Sequence, residues 1–307
     1  MSMTDPLKGV IVKGIAGFYY VKSGDEVLRC KARGIFKQRD IKPAVGDNVI
    51  VEVIPDNDDS LITDILPRKN SFIRPFISNV DCFAVVMAAA RPDPVQQVLD
   101  KFLIMAEKKN TDIVICINKC DLAEDTGKSV GRKAAENIET LKRIYEPIYP
   151  VVCIDSIKGT GFDKLKELIK GRVTALAGPS GVGKSTVINR LIPEAAAETG
   201  NISEKSRRGR HTTRHSELFT IDETEGTLMF DTPGFTSFDI LEAEEDELQY
   251  LYPDIAAHLG GCRYNNCRHT AEPGCRVTEA VKEGLIDISR YESYKALLNE
   301  IREAKQY

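Results

Sequence analysis

Asn118-Lys119-Cys120-Asp121 (NKCD) and Gly178–Thr186 (GPSGVGKST) decide the reading of this chain, and they do so through the order in which they occur. The second stretch satisfies G-x-x-x-x-G-K-[ST], with Gly178, Gly183, Lys184 and Ser185 at the fixed positions and Pro179, Ser180, Gly181, Val182 and Thr186 completing the loop. Glycines there let backbone N–H groups wrap a phosphate. The lysine reaches the β and γ phosphates, and the serine hydroxyl ligates Mg²⁺. An apolar strand, VTALAG, leads into the loop and a helix, KSTVINRLI, leads out, as this chemistry requires. The first stretch follows a buried strand, DIVICIN. An aspartate at that place accepts hydrogen bonds from guanine N1–H and the 2-amino group. Adenine presents a lone pair at N1 and no amine at C2, so the same carboxylate would stay desolvated and unpaired. Hydrogen bonds to a charged group contribute about 1.5–3 kcal/mol each, and this asymmetry selects GTP over ATP. In an ordinary GTP-binding domain N-K-x-D follows the phosphate loop. Here it precedes it.

The remaining parts of such a domain are also present. DTPG, Asp231 to Gly234, ends a strand; Asp231 is expected to hold Mg²⁺ through water and the Gly234 N–H to meet the γ-phosphate. RGRHTTRH lies between the phosphate loop and DTPG, where a switch loop supplies a threonine to Mg²⁺; Thr213 is preferred over Thr212. Ser156-Ile157-Lys158 follows the next strand after NKCD, where backbone N–H groups reach guanine O6. The order is therefore base reader, SIK, phosphate loop, switch loop, DTPG, which is a circular permutation. Chain ends in compact domains lie close together, so the contacts survive when the connections change. One mechanical consequence is expected. DTPG runs straight into the C-terminal segment, so loss of the γ-phosphate would reposition that segment.

Around this centre the chain divides by pattern. Residues 1–70 hold short β-rich runs separated by Gly, Asp and Pro turns, which predicts a small closed β-barrel of the OB type. From Val80 strands and amphipathic helices alternate, including PVQQVLDKFLIMAEKKN and a helix near Arg132–Tyr145, which predicts a parallel sheet covered on both faces. After Gly234 the character changes: the acidic EAEEDELQYLYPDI is expected to be helical, and the final stretch reads as two helices broken at Gly284 and the Ile286–Ser289 turn. The predicted fold is thus α/β: a circularly permuted P-loop GTPase domain (71–238) flanked by the barrel (1–70) and an α-helical zinc domain (239–307).

The zinc expectation rests on Cys262, Cys267, His269 and Cys275, in CRYNNCRHTAEPGC. Three thiolates and an imidazole make a closed tetrahedral site, the structural kind with no position left for water. The loop has no apolar periodicity that would suggest buried free thiols. The other cysteines, Cys30, Cys82, Cys116, Cys120 and Cys153, sit mostly in apolar strands and read as small hydrophobes. Among 307 residues, 42% hydrophobic and 29% charged is a soluble composition, and a net charge of −4 gives no global sign of nucleic-acid binding. There is no signal peptide and no apolar run of membrane-spanning length, so a cytoplasmic protein without a membrane partner is expected. Basic residues do cluster locally, at Lys31, Arg33, Lys37, Arg39 and Lys42 and again at Lys205, Arg207, Arg208, Arg210 and Arg214.

The permuted order, GPSGVGKST, GRHTT, DTPGF, and C-x₄-C-x-H-x₅-C followed by RYESYKALLNEI resemble the ribosome small-subunit-dependent GTPase A family, over the whole chain. The phosphate loop is generic; the permutation together with this cysteine motif is specific. The resemblance implies a monomeric GTP hydrolase that binds the 30S ribosomal subunit and its 16S rRNA late in maturation, is stimulated by it, and departs after hydrolysis. It also implies a role for His211 in the switch loop. In GTPases of the usual order a glutamine just after DxxG positions the attacking water; here that neighbour is Phe235, which cannot. His211 is the expected catalytic group, beside Lys184 and Thr213. Two other classes compete. A guanylate kinase shares the GPSGVGKS loop but needs neither NKxD nor a metal cluster, and a non-enzymatic RNA-binding scaffold would sense GTP without hydrolysing it.

Overall fold

The computed structural model describes residues 6–34, 36, 41–54, 57–192, 216–231 and 243–304. Two compact units emerge, each assembled from separate stretches of chain. The first comprises 1–84, 162–176 and 184–236, the second 85–161, 177–183 and 237–307. The chain passes between them five times, twice within strands and once inside the phosphate loop.

In the first unit, β1 (Leu7–Ile15), β2 (Phe18–Ser23), β3 (Glu26–Ala32), β4 (Asn48–Glu52) and β5 (Ser60–Ile65) make the barrel. β1, β2 and β3 pair antiparallel in sequence. β3 then pairs parallel with β5, β5 antiparallel with β4, and β4 antiparallel with β1, which closes the ring as expected. Alternation sends one face inward: Ile11, Val21, Cys30, Val49, Val51 and Ile62 are completely buried. The β1–β2 turn places Ala16 and Gly17 at φ 51° and 86°, the positive pair that a tight hairpin demands. Past a short hairpin, β6 (Ser71–Phe72) and β7 (Ile77–Ser78), the buried Asp47 carboxylate ties the barrel to its exit. It accepts hydrogen bonds from the Ala44 N–H, the Nε and Nη2 of Arg68 and the Ser78 hydroxyl.

The same unit holds β11 (Val173–Ala177), β12 (Glu217–Asp222) and β13 (Thr227–Asp231), with helices α3 (Phe162–Ile169) and α4 (Lys184–Leu191). β13 runs parallel to β11, with Ala175 opposite Phe230. This register puts Asp231 at the strand end from which the phosphate loop departs. β12 pairs antiparallel with β13 and joins β1 at one residue pair, Lys13 and Glu217, whose side chains form an ion pair at 2.8 Å.

In the second unit β10 (Val151–Cys153), β9 (Asp112–Asn118) and β8 (Cys82–Ala88, entering from the first unit) are neighbours in that order. β10 and β9 are parallel. Every residue of β8 and all but the first of β9 are buried, the signature of a sheet covered on both faces. α1 (Gln96–Lys108) and α2 (Ser129–Tyr145) connect them. α2 starts three residues earlier than periodicity predicts. Position 131, in its first turn, needs glycine because a Cβ there would stand 1.9 Å from the Asp125 carbonyl oxygen. After 243 come α5 (Pro253–Ala256), α6 (Arg276–Lys282) and α7 (Ile288–Ala304), with Gly284 at φ 74° between the last two as expected. The acidic segment is not the continuous helix expected. It is a 3-10 turn at Leu248–Tyr250, followed by the single turn of α5. Pro253 drives Tyr252 out of the helical region, to φ −114° and ψ 96°.

The C-terminal helices pack on α1. Ile104 shares a core with Leu248, Tyr252, Val277, Leu297 and Leu298. At its centre Arg290, 1% exposed, is paired with Asp100 of α1 and with Asp254 at 2.9 Å, and lies 4.3 Å from the Tyr252 ring centroid. Lys101–Glu300 and Lys108–Glu247 add ion pairs at 2.6 and 2.8 Å. The segment expected to swing with the nucleotide state is therefore seated on a sheet-covering helix through a buried charge cluster. Moving it as a body would strand those charges.

Candidate functional site

Asn118, at the carboxyl end of β9, is completely buried. Its Nδ2 donates to the Val182 carbonyl oxygen at 2.9 Å, and its Oδ1 accepts from the Ser156 N–H at 3.2 Å. One amide thus joins the base reader, the SIK loop and the phosphate loop. The approach is close: a Cβ on Gly183 would lie 2.4 Å from Asn118 Nδ2, and Gly183 has φ 97°. Gly178, at φ 140°, would direct a Cβ to 2.1 Å from the Val86 carbonyl oxygen of β8. These two glycines are required by space as well as by backbone conformation.

Lys119 adopts a left-handed φ of 62°. That turn aims its ammonium group across the site, where it donates to the Gly181 carbonyl oxygen at 2.7 Å and to that of Arg91. Burial pushes its pKa down, and the Asp121 charge opposes the shift. Cys120 and Asp121 open a short 3-10 turn, Cys120–Glu124, with Asp121 half-buried. The SIK loop differs from expectation in one respect. Its backbone N–H groups are already engaged, Ser156 by Asn118 and Ile157 and Lys158 by Asp155 Oδ1 at 2.9 and 3.0 Å, so a base would share or displace these bonds.

Beyond Gly183 the chain enters α4 at Lys184, with Ser185 and Thr186 exposed in its first turn. Partial burial pushes the Lys184 pKa down to about 8. A phosphate would supply the countercharge that this desolvated ammonium favours. Thr212, Thr213, His211, Gly234 and Phe235, and the basic run 205–214, lie outside the described residues, as do Lys37 and Arg39. Of the other barrel cations, Lys31 pairs with Asp59 at 2.8 Å, Arg33 stands 4.0 Å from Glu52, and Lys42 lies over the Phe76 ring at 5.3 Å. Phe76, Lys42, Arg74, Phe18 and Tyr19 line a cleft of about 600 Å³. Sequence spacing did not reveal it, because its walls come from four stretches far apart in the chain, 14–19, 42–45, 73–76 and Ser216.

Cys262, Cys267, His269 and Cys275 converge as expected, their ligand atoms all within 4.8 Å of one another. His269 Nδ1 is 3.5 Å from Cys262 Sγ and 3.3 Å from Cys275 Sγ, and those sulfurs are 4.0 Å apart. Tetrahedral zinc with Zn–S near 2.3 Å requires S···S edges of about 3.8 Å, so the donors fit that ion. Nε2 of His269 faces Gln249 Oε1 at 2.9 Å. This outer partner leaves Nδ1 as the ligating atom. Burial would push Glu272 up, but backbone N–H groups of Arg268, Thr270 and Ala271 hold its carboxyl down to about 2 and clamp the loop. His258 is not part of the cluster.

Comparison with known proteins agrees with this geometry. The RsgA GTPase family matches residues 65–241 and the RsgA N-terminal domain matches residues 8–62. The chain is 42% identical over 304 residues to the small ribosomal subunit biogenesis GTPase RsgA of Ruminiclostridium cellulolyticum, covering 97% of this chain and 95% of that one. It is 43% identical to the protein of the same description from Alkaliphilus metalliredigens, covering 98% and 99%. Among solved structures it is similar to YjeQ from Thermotoga maritima, with TM-score 0.81, 32% identity and coverage of 96% and 98%. It is also similar to YloQ, described as a circularly permuted GTPase, with TM-score 0.80, 33% identity and coverage of 99% and 97%. With the permuted order of its motifs, the closed barrel and the cysteine–histidine cluster all in place, the chain belongs to the RsgA GTPase family and is a circularly permuted GTPase.

Proposed function

We propose that this GTPase is a late maturation factor of the small ribosomal subunit, that the subunit stimulates its hydrolysis of GTP, and that it departs once GDP is formed. The descriptions of its relatives support the ribosomal role. The observation that carries the nucleotide reading is the Asn118 side chain, which binds base reader and phosphate loop into one site despite their inverted order.

In this reading Asp121 accepts guanine N1–H and the 2-amino group, and Ser156, Ile157 and Lys158 border O6. Backbone N–H groups of 178–183 and the Lys184 ammonium hold the β and γ phosphates. Mg²⁺, held by Ser185 and Thr213 with Asp231 behind a water, would neutralise charge on the phosphate oxygens. The Gly234 N–H meets the γ-phosphate, and His211 orients the attacking water or accepts its proton. The bond from the γ-phosphorus to the β–γ bridging oxygen breaks, and GDP and phosphate leave. Zinc in the Cys₃His cluster is structural. The working division is 1–70, 71–238 and 239–307. The protein acts as a cytoplasmic monomer, and among the described residues no helix is long and apolar enough to cross a membrane. The aromatic and basic cleft beside Phe76, and the basic run 205–214, contact 16S rRNA.

The test is GTP turnover with and without purified 30S subunits, for the wild type and His211→Ala. We expect slow intrinsic turnover, strong stimulation by subunits, and loss of that stimulation in the variant. Absence of stimulation would remove the ribosomal reading. Unchanged stimulated turnover in the variant would remove the role of His211.

A further inference from the structure

Cys120 lies inside the base reader, and the mechanism above gives its thiol nothing to do. The sulfur donates to the Ile117 carbonyl oxygen at 3.1 Å, and the Cys120 N–H donates to the Ile154 carbonyl oxygen at 3.3 Å. The second bond sets the residue against the end of β10, where Cys153 is paired in register with Ile117. The Ile117 carbonyl oxygen also accepts the Ile154 N–H at 2.8 Å, so the Cys120 sulfur sits beside the peptide that follows Cys153, and both thiols are half-buried. The other cysteines outside the metal cluster, Cys30, Cys82 and Cys116, are completely buried. The neighbouring Cys120 thiol and the nearby Lys142 ammonium hold the Cys153 thiol down to about 7, against the opposing effects of burial and Glu146. The Lys142 ammonium thus favours the thiolate form of Cys153, with a second thiol beside it to resolve a mixed disulfide.

We propose that Cys120 and Cys153 are a redox-active dithiol through which low-molecular-weight disulfides weaken guanine-nucleotide binding. The Cys153 thiolate attacks one sulfur of the disulfide RSSR, forming a Cys153–S–SR bond and expelling RS⁻. The Cys120 thiol then loses its proton and attacks Cys153 Sγ, expelling the second RS⁻. Two electrons pass from the protein to RSSR, two RSH result, and one intramolecular disulfide forms. An S–S bond of about 2.05 Å draws Cys120 Sγ off the Ile117 carbonyl and towards β10. Asp121 is the next residue and moves with it. This consequence rests on Asp121 reading the base.

The experiment uses the full-length, metal-loaded, nucleotide-free protein, incubated with glutathione disulfide. Peptide mass mapping reads the linkage, and titration with a fluorescent GDP analogue reads the affinity. We expect a Cys120–Cys153 linked peptide and affinity weakened by about ten-fold or more, restored by dithiothreitol. Cys153→Ser, outside the nucleotide site, is expected to keep its affinity under oxidant. Absence of the linked peptide overturns the proposal, as does a linked protein of unchanged affinity. A loss that persists in Cys153→Ser also overturns it, because the metal-cluster thiols would then be the oxidised groups. If the reduced protein failed to bind the analogue, the base-reader reading would fall, while the linked peptide would still decide whether the dithiol exists.

Discussion

A buried carboxamide needs partners at both ends, and Asn118 finds them in loops that lie 38 and 64 residues further along the chain. Removing the amide in Asn118→Ala strands the Val182 carbonyl and the Ser156 N–H, at about 1–3 kcal/mol each. The expected outcome is a roughly 10- to 100-fold loss of GDP affinity, read by analogue titration. A change under about two-fold would show that the loops are held by other means. Lys184 makes a second prediction at this scale. Its pKa in the nucleotide-free protein is about 8, below its unfolded value of 10.5. The unfolded chain thus binds more protons between those values, so the stability contributed by this residue rises with pH across that window. Nucleotide binding moves the other way. Phosphates favour the charged lysine, so above about pH 8 binding takes up a proton and affinity falls with each further unit. Titration from pH 7 to 9.5 in buffers of different ionisation enthalpy reads both the affinity and the proton. A flat profile would place the Lys184 pKa well above that range.

At the scale of elements, local chemistry was legible where a motif is self-contained. The four residues of the cysteine–histidine cluster lie within fourteen positions, in a tight loop with Gly274 at φ 71°. Its clamp, Glu272, was not read from the sequence, because a lone glutamate in a polar loop resembles a solvated one. The folded pKa near 2 lies below the ordinary value of 4.5, so the stabilisation is complete above 4.5 and disappears as pH falls through 2. Glu272→Gln keeps the shape and removes the charge. We expect faster zinc loss to a chelator at neutral pH, followed with a colorimetric zinc indicator; wild-type release kinetics would count against the clamp. The acidic segment shows the opposite limit. Helical composition was present, yet Pro253 ended it and packing of Leu248 and Tyr252 chose short turns.

At the scale of the whole molecule, Arg290 governs how the C-terminal helices are held. It reaches Asp100, which also accepts the Tyr145 hydroxyl at 2.7 Å, and Asp254. Truncating one member of a buried charge cluster costs about 3–5 kcal/mol because the others remain desolvated. Arg290→Met is expected to lose that much in denaturant unfolding, and Arg290→Met with Asp100→Asn to recover part of it. A single-variant cost below about 1 kcal/mol would mean that the apolar core alone seats these helices. The same cluster bears on the expected repositioning of this segment after loss of the γ-phosphate. If hydrolysis moved these helices as a body, Arg290 would have to leave Asp100 of α1 and strand both charges.

What the sequence determined by itself was the family and the order of its motifs: NKCD ahead of GPSGVGKST and DTPG, the cysteine–histidine loop and the barrel strands. Each is specified by residues a few positions apart, so spacing alone conveys the chemistry, and a permutation alters connections without altering those spacings. Only the tertiary structure decided how the parts meet. Asn118 bridging two distant loops, Lys119 reaching Gly181, Cys120 beside Cys153 and Arg290 seated on Asp100 all join residues remote along the chain. Their energies come from burial and mutual desolvation, which exist only after the chain has folded.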